Sequence, residues 1–183
     1  SRGLGDVYKR QIVKWMVGHM REGAEAEGRD PDKIYVLSMT AFYLTDSDEQ
    51  IETREVREAV GPMVASSSNI FALSCHKDPN ALPNDFREEL MKFVDVYREP
   101  EAPIETRHLS LYSGYLQHLK AEHEALMTKK IIQATTLTGT RKEVLGMIEA
   151  MRDAGVHQVA IQPIRPTREV VDQVCSEIMP AFA

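Results

Sequence analysis

Apolar residues at Ile12, Met16, Met20 and Ala24 recur every fourth position, which predicts an amphipathic helix over 12–27, closed by Gly28. The turn GRDPDKI leads into IYVLSMTAFYL (34–44), an almost unbroken apolar and β-branched run. Such a run predicts a strand buried on both faces, as in a parallel sheet covered by helices. The stretch after it, TDSDEQIETREVREAV, has acidic residues ahead of a helical pattern, with Asp46 or Ser47 as its cap. Pro62 is expected to start a separate helix over 62–74, and Asn84 to cap another over 84–97. Residues 98–105 are Pro-rich and loop-like, and 106–134 read as short helical pieces. The pattern is clearest from 138 onward. Thr140 and Glu143 have capping-box spacing, Val144, Ile148 and Met151 form an apolar stripe, and Gly155 ends the helix. VHQVAIQPI (156–164) predicts a second buried strand, and PTREVVDQVCSEIMPAF a closing helix with Pro166 near its start. Strands alternating with helices predict an α/β fold with parallel strands.

The opening SRGLGDVYKRQ has neither this periodicity nor this punctuation. It resembles the translated transposon-end sequence of a widely used DNA sequencing adapter. Residues 1–11 are therefore expected to be non-native, and residues 12–183 to be the C-terminal part of a longer protein. Without that segment Lys+Arg falls from 22 to 19 and Asp+Glu from 28 to 27, so the net charge moves from −6 to −8. An acidic chain lacking a basic cluster is not built for nucleic acid. No apolar run approaches the roughly 18 residues of a membrane span. Cys75 and Cys175 stand far apart without metal-ligand spacing, which fits a reduced, cytoplasmic protein.

Two segments, EGAEAEGRDPDKIYVLSMTAFYLTDSDEQ and RHLSLYSGYLQHLKAEHEALMTKKIIQATTLTGTRKEVLGMIEAMRDAGVHQVAIQPI, follow one another at a telling spacing. This succession resembles the luciferase-like family of flavin- and deazaflavin-dependent oxidoreductases. The resemblance implies the C-terminal part of a TIM (β/α)8 barrel, with 34–44 as the seventh strand and 157–163 as the eighth. A helical insertion, about 45–139, would then lie on the catalytic face between them. It also implies FMN or a deazaflavin of the coenzyme F-420 type as cofactor. The reaction would be hydride transfer to, or monooxygenation of, a small organic substrate, and the full-length protein would be a homo-oligomer. The alternative is a non-catalytic barrel subunit that contributes only an interface.

Within that frame Gly139 and Thr140, at a helix start, are candidates for a cofactor phosphate, or serve only as the helix cap. Gln162 and Arg165 follow the last strand. Alternation puts Gln158, Ala160 and Gln162 on one face and Val159 and Ile161 on the other, so Gln162 is expected to face the barrel mouth. Arg165 is expected to pair with a phosphate or carboxylate. HLSLYSGY supplies His108, Tyr112 and Tyr115 as substrate contacts, with His108 the one candidate proton donor or else a structural histidine. The family's polar cluster is replaced there by Tyr112, Ser113 and Tyr115, which weakens any transfer of an acid–base role. His118 and His123 lie on different faces of a helix, so no metal site is expected. Trp15, Met16 and Met20 read as core. Ser66, Ser67 and Ser68 lack a nucleophile elbow.

Overall fold

The computed structural model describes residues 4–75, 78–96, 102–106, 115–164 and 167–182. Seven α-helices are described: α1 (Leu4–Ala26), α2 (Arg54–Ser74), α3 (Arg87–Val96), α4 (Ala121–Glu124), α5 (Lys129–Thr135), α6 (Arg141–Asp153) and α7 (Arg168–Gln173). Four short strands accompany them: β1 (Leu37–Thr40), β2 (Phe42–Leu44), β3 (Leu137–Gly139) and β4 (Gln158–Ile161).

The expected strand over 34–44 is divided at Ala41. β1 pairs in parallel with β4, and β2 pairs in parallel with β3, a strand the hydrophobic pattern does not announce. The division follows from the backbone. The carbonyl of Thr40 accepts from Gln162 N on one edge, and that of Ala41 accepts from Leu137 N on the other. Successive carbonyls of an extended chain point opposite ways, so one run serves two neighbours in turn.

The β1–β4 pair is covered on one face only, whereas β3 is buried throughout. Val36, Ala41 and Phe42 join the core, and Val159 and Ile161 pack against it. Tyr35, Leu37 and Met39 remain 65%, 50% and 57% exposed, which corrects the expectation of burial on both faces. For β1 the helices supply cover on the core side alone. α1 packs on α5 and α6, and α2 on α3.

α1 begins at Leu4 and so runs through the opening segment without a break. Its buried residues are Lys9, Ile12, Val13, Val17 and Ala24, whereas Met16 and Met20 are exposed. The four-residue step therefore picked the wrong pair. The covered stripe drifts round the helix at 3.6 residues per turn and takes in the valines. Trp15 is half-buried against Phe71 and His19.

Helix α2 is also longer than expected. It starts after Thr53, whose side chain accepts from Val56 N, and passes through Pro62 instead of restarting there. Asp46 and Ser47 cap nothing in it. Ser47 precedes a separate 3-10 turn over Asp48–Gln50. Asn84 likewise opens a 3-10 turn (Asn84–Phe86) ahead of α3. α6 matches its pattern closely: Val144 and Met151 are fully buried, Ile148 is half-buried, and Met147 adds to the stripe. Gly155, at φ 100°, turns the chain toward β4. The closing helix is capped by Thr167 and changes after Gln173 into a π-helical turn and then a 3-10 turn.

Candidate functional site at the strand ends

The C-terminal ends of the parallel strands fall at two levels. β2 and β3 finish together, with Leu44 opposite Gly139 and Thr45 N donating to the Gly139 carbonyl at 2.9 Å. β4 finishes lower, since Ile161 is opposite Thr40. Four residues of strand separate the levels, about 13 Å. Gly139 and Thr140 are thus brought beside Thr45, while Gln162 lies on the far edge and nearer the middle of the sheet.

At the upper level the start of α6 is enclosed by polar side chains. Glu143 Oε2 accepts from Thr140 N at 2.9 Å and from Thr140 Oγ1 at 2.8 Å, and Glu143 N donates to Thr140 Oγ1, which completes the capping box. Gly139 has φ 154°, and a Cβ there would meet Glu143 Oε2 at 2.9 Å. Gln133, wholly buried, donates from Nε2 to Thr138 O and to Glu143 Oε1, both at 3.4 Å. Asp48 pairs with Lys129 and touches Glu143. The Lys129 ammonium is the main reason its carboxyl is held below the usual range.

The lower level opens on a cleft of about 260 Å³ between β2, α2 and α7. Tyr43 donates from its hydroxyl to Glu55 Oε1 at 2.7 Å, and Glu58 and Glu169 also line the cleft. The phenol is pushed up to about 12, first by burial, then by the hydrogen bond to Glu55 and the nearby carboxylates. It is therefore a hydrogen-bond donor across the neutral range and not a base. Gln162 Oε1 is buried without a partner. Sequence reading missed Tyr43 and Glu55. Their one signal was a tyrosine near the end of an apolar run.

The remaining candidates have varied placements. His108, Tyr112 and Arg165 lie outside the described residues, as do Ser113 and Pro166. Tyr115 is exposed. His123 is buried and stacks on Phe93, with ring centroids 5.8 Å apart, and desolvation lowers its pKa. His118 is exposed. Among the described residues no group of three or more His, Cys, Asp or Glu is arranged to hold a metal, and no helix is long and apolar enough to cross a membrane. Two larger cavities, of about 840 and 880 Å³, are also present. One is between α6, β4 and the C-terminal turns, the other between α1 and the end of α2.

The sequence pattern that describes the luciferase-like monooxygenases matches residues 7–158. The chain belongs to that family. No curated protein and no solved structure matches it. The matched span takes in α1 from Val7, all of β1, β2 and β3, and α2 to α6, and it ends at the first residue of β4. Membership gives this luciferase-like chain a general oxidoreductase or monooxygenase role, and the family is generally flavin-dependent. The α6 terminus does not fit a flavin phosphate as it stands, because Thr140 N is already bonded and two carboxylates, Glu143 and Asp48, are at hand.

Proposed function

We propose that this luciferase-like protein is an oxidoreductase that uses FMN or a deazaflavin for hydride transfer to, or monooxygenation of, a small organic substrate. The family match across 7–158 carries the reading. Parallel strands whose polar residues gather at their C-terminal ends support it, since that is where barrel enzymes of this kind place their chemistry. On this reading β1 and β4 are neighbouring staves of a (β/α)8 barrel, with the exposed Leu37 and Met39 on its inner side and residues 45–139 standing over its mouth. Gln162 and Arg165 would face the cofactor, and His108, Tyr112 and Tyr115 the substrate, in a cytoplasmic homo-oligomer. Gly139 and Thr140 would reach a cofactor phosphate only if Glu143 gave way.

The test is a spectral titration of the purified protein with FMN and with a deazaflavin. Saturable perturbation of one chromophore, followed by its reduction or reoxidation in the presence of substrate, is the expected outcome. If neither cofactor binds, the reading as a non-catalytic barrel subunit replaces this one.

A further inference from the structure

Helix α1 carries a group of soft donors that the strand-end site leaves unused. Met16 and His19 are three residues apart, and Met16 and Met20 four apart. Residues at these spacings are neighbours on a helix surface, with Cβ atoms about 5–6 Å apart. All three line the cavity of about 880 Å³ between α1 and the end of α2, together with Trp15, Phe71 and Cys75. Met16 and Met20 are 42% and 44% exposed, so neither thioether is engaged in the core.

His19 is already oriented. Its Nδ1 lies 3.0 Å from Glu22 Oε2. In the neutral ring Nδ1–H donates to that carboxylate and Nε2 keeps its lone pair. A histidine that ligates a metal through one nitrogen is commonly held in this way by a carboxylate on the other. Trp15 holds the imidazole from a second direction, with ring centroids 4.7 Å apart and planes at 88°, and is itself set against Phe71.

The chemistry of the donors selects the ion. Thioether sulfur is a soft ligand that suits Cu(I), whereas hard cations want carboxylate and carbonyl oxygen. Asp78, also on the cavity wall, is occupied by the Asn80 N–H at 2.9 Å. Cys75 is not a ligand here, because its thiol donates to the Ala81 carbonyl at 3.4 Å and burial pushes its pKa up, which keeps it protonated. With thioethers as the main donors, no cluster of His, Cys, Asp and Glu marks the place among the described residues.

We propose that Met16, Met20 and His19 form a three-coordinate site for Cu(I) on α1, beside Trp15. The ion enters and stays as Cu(I), so binding involves no redox step. The site shares no residue with the flavin reading above and does not depend on it.

Titration of the full chain with Cu(I), kept reduced by ascorbate and buffered by bicinchoninate, tests the proposal. Trp15 is the sole tryptophan, so its emission reports on this groove. The expected result is saturable quenching by Cu(I) and none by Zn(II). Met16→Leu with Met20→Leu, which keeps the apolar volume at two exposed positions, weakens binding about ten-fold or more, and His19→Gln does the same. Cys75→Ala, with its helical circular dichroism unchanged, keeps the quenching; loss there would assign the ion to the thiol and overturn the proposal. Absence of saturable quenching, an equal response to Zn(II), or full affinity in both the leucine and the glutamine variants overturns it as well.

Discussion

Lys9 shows what a single misplaced charge does. Its side chain is 3% exposed, its ammonium has one protein partner, the Ala134 carbonyl at 3.2 Å, and burial pushes its pKa down from 10.5 to about 7. Below pH 7 the amine is charged in the folded and the unfolded chain alike, and the burial penalty is felt in full. Between pH 7 and 10.5 only the unfolded chain holds the proton. Stability therefore rises with pH across that window. Lys9→Met is expected to stabilise the protein at pH 7 by up to about 5 kcal/mol and to flatten this rise. Urea unfolding at pH 7 and pH 10 is the measurement; an unchanged slope in the variant would refute the assignment.

At the scale of elements, α6 was largely legible and β3 was not, for different reasons. The capping box of Thr140 and Glu143 and the Val144, Ile148, Met151 stripe are local, set within one helix by spacing, and only the buried Met147 had to be added. β3 is three residues long and threonine-rich, too short to show a period, and it exists only because Ala41 and Thr45 offer it hydrogen bonds. Thr140→Ala is expected to cost about 1 kcal/mol by removing the cap. Combined with Glu143→Ala it should cost less than the sum, because both substitutions break one reciprocal arrangement. A thermal-denaturation double-mutant cycle reads the difference, and strict additivity would show that the two side chains act independently. Met147→Ala, at a fully buried site against α1, is expected to cost about 2–5 kcal/mol in the same measurement.

For the whole molecule, the consequence of two pairs of parallel strands is an uncovered surface. Leu37 and Met39 face solvent, and among the described residues β4 is paired with β1 on one side only. Exposed apolar strands with an open edge pair with whatever is available. The 183-residue chain is therefore expected to self-associate, with an average mass by light scattering that rises with concentration. Met39→Lys with Leu37→Glu should lower that mass without loss of helical signal. A concentration-independent monomer with one sharp melting transition would contradict the view that these strands were shaped for a larger sheet.

What was readable from residue order was whatever depends on near neighbours: α6 and its cap, the turn before β1, the α/β alternation and the family. Contacts between distant segments decided the rest. Whether Met16 or Val17 faces inward depends on where α5 and α6 lie. The division of 34–44 at Ala41 depends on having partners on both edges. Periodicity records which side of an element is apolar, but not whether anything in the chain arrives to cover it.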